Sequence, residues 1–149
     1  MQKCYLALGC FWKPEENFRL KPGVISTEVG YAGGTKPKVT YNEVCQGNTG
    51  HAETVKITFD ETKISFEKIL DLFFKMHDPT QKDMQYPDIG NQYRSEIFFV
   101  DQDQKVLAEM KMKEMNLIFK GKIETKISEL KNYCKAEEYH QKYIMKNTL

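Results

Sequence analysis

The sequence has little arginine and no excess of either charge. Only Arg19 and Arg94 are arginines among its 22 basic residues, so few guanidinium groups are available for two-pronged binding of phosphate. The basic residues and the 21 acidic residues are mixed along the chain and leave a formal net charge of +1. Because such a chain has no strong overall field, we expect neither nucleic acid nor a membrane among its partners.

Cysteine is also scarce, and its spacing excludes two common uses. The four cysteines are Cys4, Cys10, Cys45 and Cys134, too few for a disulfide-rich scaffold. None belongs to a CxxC pair or to a Cys/His spacing typical of zinc. We therefore expect no metal and interpret these residues as reactive or simply buried thiols.

No apolar run approaches the roughly 18 residues that a membrane-spanning helix needs. The apolar stretch that ends at Cys10 is also too close to the first residue for a secretory signal, which takes roughly 15–30 residues. We therefore predict a cytoplasmic protein. With 149 residues, 40% of them hydrophobic, the chain can bury one core, so we predict one domain over residues 1–149 and a monomer.

The order of strand-like and helix-like patterns predicts an α+β fold. An apolar strand over Gln2 to Leu8 is followed by Gly9 and by a helix that begins near Pro14. Further strands are predicted at about 24–31, 52–59, 94–100 and 123–127, and further helices at about 66–78, at about 101–119 and from about 136 onward. Two consecutive split βαβ units predict a ferredoxin-like α/β plait with a mixed sheet, extended by a C-terminal helix and loops.

Cys10 lies where a buried strand passes into a helix. Unpaired N–H groups at the start of a helix stabilise a thiolate, which makes Cys10 the candidate nucleophile. A buried structural thiol is the alternative, since Leu8 and Phe11 are apolar. Phe11 and Trp12 either wall a pocket for a methyl group and a thioether or are plain core.

Glu53 is an acid in an otherwise apolar row. The alternation from residue 52 to 59 puts Glu53, Val55 and Ile57 on one face of a strand. A carboxyl group on such a face tends to stay protonated and can therefore donate a proton. The alternative is a structural acid held by hydrogen bonds to the backbone of Gly50 or His51 or to a tyrosine.

Three further polar side chains fall near turn glycines, where exposed aromatic and charged residues often serve recognition. They are Tyr41, which follows a capping box of Thr40 with Glu43, and then Asp88 and Tyr93. A tyrosine hydroxyl could bind an oxygen that becomes more negative during a reaction. These residues are therefore candidates for a binding site.

Taken together, these motifs resemble those of the peptide methionine sulfoxide reductase A family. Each one alone is weak, but together, in this order and at these separations, they are highly specific. The matching segments span nearly the whole chain: Gly9-Cys10-Phe11-Trp12, Gly30-Tyr31-Ala32-Gly33-Gly34, Tyr41, Thr49-Gly50-His51-Ala52-Glu53, His77-Asp78-Pro79-Thr80, Asp88, Gln92-Tyr93-Arg94-Ser95 and Ala136-Glu137-Glu138-Tyr139-His140-Gln141.

The resemblance implies reduction of the S epimer of methionine sulfoxide, free or in peptides and oxidised proteins, to methionine. A neutral acid and hydroxyl donors stabilise the negative charge that builds on the sulfoxide oxygen during attack by a thiolate. The implied roles are nucleophile for Cys10, proton donor for Glu53, oxygen binding for Tyr41 and Tyr93, methyl binding for Phe11 and Trp12, and support of the polar side of the pocket for Asp88.

The resemblance also implies how the enzyme is recycled. Cys10 becomes a sulfenic acid, which a second thiol converts to a disulfide that an external reductant such as thioredoxin then reduces, with no bound cofactor. The sequence lacks the glycine-rich, cysteine-bearing C-terminal tail of many members. We expect Cys134 to be the resolving thiol, with Cys45 as the second candidate and direct attack by an external thiol as the third possibility.

Two departures from the family pattern, Lys13-Pro14 and Met84 to Pro87, are expected to border the pocket. Two other functions stay open. One is a different thiol enzyme, a peroxidase or a Cys/His acyl transferase, which would need His51 or His140 as its base. The other is a non-catalytic binding domain of ferredoxin-like fold, for which Cys10 would be dispensable.

Overall fold

The chain forms a six-stranded mixed sheet with helices packed on it, in a computed structural model that describes residues 1–148. The strands are β1 (Gln2–Leu8), β2 (Val24–Ala32), β3 (Ala52–Phe59), β4 (Met84–Gln85), β5 (Asp88–Ile89), β6 (Ser95–Phe99), β7 (Lys126–Glu129) and β8 (Cys134–Lys135). The helices are α1 (Trp12–Arg19), α2 (Tyr41–Cys45), α3 (Phe66–Met76), α4 (Gln102–Ile118) and α5 (Tyr143–Asn147), with 3-10 turns at Asn91–Tyr93 and Glu138–His140.

The strand order is β7-β6-β1-β3-β2-β8, and a separate hairpin joins β4 to β5. Neighbouring strands of the large sheet are antiparallel except β6 and β7, which are parallel. Helix α1 connects β1 to β2 with β3 between them, and α3 connects β3 to β6 with β1 between them. The predicted α+β class and mixed sheet are confirmed.

The main core lies on the sheet face that α1, α3 and α4 cover. On β3, the predicted row of Glu53, Val55, Ile57 and Phe59 is buried, and it faces this core. Helix α3 begins at the cap residue Ser65, whose hydroxyl accepts the Lys68 N–H, and its predicted apolar stripe is buried against the sheet. The stripe consists of Phe66, Ile69, Leu70, Phe73 and Phe74.

The C-terminal region differs from the prediction. A helix from about Ala136 was expected, but residues 134–135 form β8, and α5 starts only at Tyr143. The reason is that the Gln141 side chain bonds both the N–H and the carbonyl of Val29, at 2.9 and 2.8 Å, which holds this segment along β2. Lys142 then takes a left-handed backbone conformation, with φ of 50°.

Within residues 1–148, no helix is both long and apolar enough to cross a membrane. A cavity of about 430 Å³ lies near the start of β1 and is lined by residues that include Gln2, Phe59 and Leu107. It is at the opposite end of β1 from Cys10. Cavity volume therefore does not identify the candidate site, which has to be located from the positions of the reactive side chains.

Candidate active site

The sharp turn between β1 and α1 presents Cys10. Gly9 makes this turn with φ of 98°, a conformation that favours glycine. A side chain there would also collide with Gln85, whose Cγ lies 2.9 Å from the position of a Cβ. Cys10 is consequently held at the end of the sheet, partly exposed, just before the first residue of α1.

Burial and the start of α1 act in opposite directions on the pKa of the Cys10 thiol. Burial raises the pKa of its thiol to about 12, the Trp12 N–H at the start of α1 lowers it, and Glu53 and Asp88 raise it. The predicted stabilisation by the helix is present, but burial outweighs it. Burial therefore favours the neutral thiol of Cys10 in the resting site.

Glu53 is buried on β3 and linked directly to the nucleophile loop. Its side chain is 2% exposed, and its Oε1 accepts the Phe11 N–H at 3.2 Å. Burial raises the pKa of this carboxyl group to about 8, the Phe11 N–H lowers it, and Asp88 raises it. Burial thus favours the protonated form of the group, which can donate a proton.

Tyr41 is the first residue of α2, and its placement follows from the local sequence. The predicted capping box forms, since the Thr40 hydroxyl accepts the Glu43 N–H and the Glu43 carboxylate accepts the Thr40 N–H. The neighbouring Cys45 thiol, burial, Tyr93 and Glu53 all raise the pKa of the Tyr41 hydroxyl. Tyr41 therefore carries a proton that it can donate, and it lies near the buried acid.

Tyr93 ends the 3-10 turn that precedes β6. Arg94 fixes this turn, because its guanidinium donates to the carbonyls of Asn91 and Gly50 at 3.0 and 2.9 Å. It also pairs with Glu96 at 2.7 Å, rather than with Asp88 or Glu53. Burial raises the pKa of the Tyr93 hydroxyl to about 12, with contributions from several acidic neighbours. In order of size they are Glu53, Cys45, Asp88 and Cys10.

The fold thus brings five of the predicted site residues close enough to shift one another's pKa, although they come from four separate parts of the sequence. They are Cys10, Glu53, Tyr41, Tyr93 and Asp88. All five become negative when they ionise; Glu53 is buried, and the other four are half-buried. The site is therefore arranged to bind an oxygen that becomes negative, with neutral O–H donors around it.

Phe11 and Trp12 occupy different environments. The Phe11 ring is 1% exposed and packs against the rings of Tyr31 and His140, with centroids 5.8 and 5.2 Å away. Trp12 is half-buried, and its indole stacks on Tyr143 at 3.8 Å. Of the two rings, only that of Trp12 is accessible enough to form a pocket surface in this conformation.

His140 and Tyr143 orient Trp12, a role that sequence reasoning missed. The Trp12 indole N–H donates to Nδ1 of His140 at 3.0 Å, and the His140 ring also packs on Tyr41 at 4.5 Å. The signal that could have found His140 was the matching segment from Ala136 to Gln141, whereas Tyr143 lies outside that segment.

The candidate resolving thiols lie in different places. Cys45 is exposed at the end of α2, next to Tyr41. Cys134 was expected in a loop but lies in β8, where its thiol donates to the Val39 carbonyl at 3.9 Å. Cys4 is fully buried, and burial raises the pKa of its thiol. All four cysteines are free thiols.

A cavity of about 210 Å³ opens beside Cys10. As expected, both departing segments border it, since Lys13, Pro14, Tyr86 and Pro87 all line its wall. Among residues 1–148, no group of three or more His, Cys, Asp or Glu side chains is placed to hold a metal ion.

Comparisons with known proteins agree with one another. The family model described as peptide methionine sulfoxide reductase matches residues 2–149. A peptide methionine sulfoxide reductase MsrA of Pelagibacter ubique (strain HTCC1062) is 56% identical over 98% of this chain and 99% of its own. The structure of reduced Mxr1 from Saccharomyces cerevisiae matches with a TM-score of 0.92 and 39% identity, over 98% of this chain and 85% of that one. Mxr1 in complex with Trx2 matches with a TM-score of 0.66 and 28% identity, over 95% and 84%.

The raised pKa of Glu53 predicts a pH-dependent stability. Between its ordinary value of 4.5 and about 8, the folded protein keeps a proton that the unfolded chain releases. Stability therefore falls as pH rises, by up to about 1.4 kcal/mol per pH unit from this group.

Glu53→Gln lacks this loss, so urea denaturation from pH 5 to 8 should show the variant gaining stability relative to wild type. Glu61→Gln, in an exposed loop, should follow wild type, and parallel curves for Glu53→Gln would mean that Glu53 is ionised in the folded protein.

Proposed function

Because the chain belongs to the peptide methionine sulfoxide reductase family, we propose that it reduces the S epimer of methionine sulfoxide, free and in oxidised proteins, with Cys10 as the nucleophile. The family predicted from the motifs is thereby confirmed. The observation that carries the proposal is the buried, protonated Glu53, bonded to the residue after Cys10 and flanked by Tyr41 and Tyr93.

In the proposed reaction, the Cys10 sulfur attacks the sulfoxide sulfur. Attack forms an S–S bond, and the S–O bond breaks as the oxygen takes two protons, one of them from the Cys10 thiol, and leaves as water. That water attacks the Cys10 sulfur and breaks the S–S bond, so the substrate leaves as methionine and Cys10 becomes a sulfenic acid. Glu53 donates its proton to the oxygen as negative charge builds there, and the hydroxyl groups of Tyr41 and Tyr93 donate hydrogen bonds to it. Because the resting thiol is neutral, its proton has to leave as the oxygen gains one, so the pocket never carries a large net charge.

The methyl group and thioether of the substrate lie on the Trp12 indole in this proposal. The stacking on Tyr143 and the hydrogen bond to His140 support it, since they hold the indole in one orientation. Phe11 forms the buried floor beneath, and its N–H holds the Glu53 carboxyl group. Asp88 lies on the polar side, where it helps to keep Glu53 protonated.

We propose that thioredoxin returns the enzyme to its reduced form, and the complex of the related Mxr1 with Trx2 supports this. For the intermediate disulfide, the geometry favours Cys45 over Cys134. The strands β3 and β2 separate β1 from β8, so the backbone of β1 and that of Cys134 are about 14 Å apart, at roughly 4.8 Å per strand. A disulfide needs a Cα separation below about 7 Å, so this spacing supports Cys45, which lies beside Tyr41, over Cys134.

Two further expectations, about the fold and the domain, also become proposals. The order β6-β1-β3-β2, with its two split βαβ connections, supports a ferredoxin-like plait at the centre of the sheet. The match of the family model to residues 2–149 supports one catalytic domain. That the protein is a monomer and that it is located in the cytoplasm remain predictions.

Single-turnover reduction tests the proposed reaction. Pre-reduced protein, mixed with each epimer of a methionine sulfoxide peptide and no other reductant, should yield one methionine per chain from the S epimer alone. Cys10→Ser should fold and yield none, because the sulfur that accepts the oxygen is missing. Methionine from the R epimer would contradict the stereochemistry, and its absence from both would favour the binding-domain alternative.

The same reaction tests Glu53 as the proton donor. Glu53→Gln should slow the single-turnover step by on the order of 100-fold or more, because the amide cannot supply a proton. The wild-type rate should fall as pH rises through about 8, where the acid is lost, and the variant should lack that limb of the profile. If the variant kept the full rate while replacement of His51 or His140 abolished it, the acyl-transferase alternative would gain.

Counting and mapping thiols after one turnover tests the recycling step. Wild type should lose two thiols per methionine and contain a peptide pair linking Cys10 to Cys45. Cys134→Ser should behave the same, whereas Cys45→Ser should lose one thiol and keep a sulfenic acid that dimedone labels. A Cys10–Cys134 disulfide in wild type would reverse this preference, and loss of one thiol in every protein would mean direct attack by the external reductant.

A further inference from the structure

The Glu137 carboxylate joins two elements of the candidate site. It lies just before the 3-10 turn at Glu138–His140, and its Oε1 accepts the Tyr31 hydroxyl at 2.9 Å. Its Oε2 accepts the backbone N–H of Tyr41 at 2.8 Å. One carboxylate thus links the central strand β2 to the first residue of α2.

The bond to Tyr41 completes the N-terminus of α2. The first N–H groups of a helix have no partner within the helix, and the Thr40 hydroxyl satisfies only that of Glu43. The Tyr41 N–H is another such group, and a charged acceptor makes a hydrogen bond stronger than a neutral one. Because α2 has only five residues, few bonds of its own hold it in place. The Glu137 contact is consequently a large share of what fixes Tyr41.

The segment that carries Glu137 is itself firmly attached to β2. The Ala136 N–H donates to the Val29 carbonyl at 3.0 Å, and Gln141 bonds both polar groups of Val29. Tyr31 in turn lies directly opposite Glu53 in the pairing of β2 with β3. The position of Tyr41 is therefore tied through Glu137 to the strand beside the proton donor.

The charge needed for this link is present under working conditions. Burial opposes ionisation of Glu137, but hydrogen bonds from the backbone N–H of Tyr41 and from the Tyr31 hydroxyl help to hold its pKa below the usual range. The same contact raises the pKa of Tyr31, after the larger effect of burial. Near neutral pH, Glu137 is thus an anion and Tyr31 a neutral donor.

We propose that Glu137 is a positioning residue for the reduction reaction, and that it holds the Tyr41 hydroxyl in place to bind the sulfoxide oxygen. This inference rests on the proposed function. Glu137 does not contact the reacting atoms in this role. It acts through the backbone of Tyr41, so its removal should matter only while Tyr41 has its hydroxyl group.

The test is a double-mutant cycle between Glu137→Gln and Tyr41→Phe, read by single-turnover reduction of an S-sulfoxide peptide. Glu137→Gln keeps the shape of the side chain but loses the charge. It should lower the maximal rate about tenfold and change the substrate concentration for half-maximal rate less than about twofold. In the Tyr41→Phe background, the same substitution should cost less than about twofold.

Glu138→Gln is the matched control, because Glu138 is the next residue and its exposed carboxylate pairs only with Lys135, at 3.3 Å. It should leave the rate unchanged in both backgrounds. An equal, tenfold loss from Glu137→Gln with and without the Tyr41 hydroxyl would overturn the proposal, as would an unchanged rate in the wild-type background. If Glu137→Gln failed to fold, Glu137→Asp, which is too short to reach both partners, would be subject to the same cycle and the same criteria.

A failure of the proposed function and a failure of the positioning role give different results. Wild-type protein that leaves the S-sulfoxide peptide unreduced would sink the proposed function itself. The positioning role alone would be contradicted by a different result. In that case the wild type reduces the peptide and Tyr41→Phe is slow, but Glu137→Gln lowers the rate by the same factor in both backgrounds.

Discussion

The hydrogen bond from the Phe11 N–H to the Glu53 carboxyl group joins the nucleophile loop to the core of the sheet. It connects the residue after Cys10 to β3, across 42 positions of the sequence. The carboxyl group is buried, and burial favours its protonated form even though this N–H favours the ionised one. The fold thus spends some stability to keep a neutral acid beside a thiol, which is the kind of local cost that functional sites carry.

The neutrality of the site has a chemical consequence. Cys10 and Glu53 each raise the pKa of groups around them when ionised, so two negative charges in the pocket would destabilise each other. A substrate with a negative charge at the reacting atom would meet the same repulsion from Asp88. A sulfoxide is neutral but strongly polar, and it gains negative charge only on its oxygen as the reaction proceeds. Neutral donors that surround this oxygen stabilise the transition state more than the ground state, which is the condition for catalysis.

Much of this arrangement could be predicted from local patterns. The alternation in β3 identified the buried row that contains Glu53, and the capping box identified the start of α2, because both depend on near neighbours in sequence. The charge state of Cys10 could not be predicted in this way, since it depends on burial by residues that are distant in the chain. The segment from Cys134 to Gln141 was also mispredicted. Its conformation depends on hydrogen bonds to Val29, about 110 residues away, as the Gln141 contacts at a separation of 112 illustrate.

That C-terminal segment determines the geometry of both sides of the pocket. His140 and Tyr143 hold Trp12 on the side of α1, whereas Glu137 holds Tyr41 on the side of α2. All of them are positioned by a short stretch that the Gln141 side chain fastens to β2. Since β2 pairs with β3, the Trp12 indole and the Tyr41 hydroxyl, which we propose to bind the methyl group and the oxygen, are both held in place relative to Glu53. A change that loosened this stretch would therefore disturb the two binding surfaces together, even though none of its residues needs to touch the reacting sulfur.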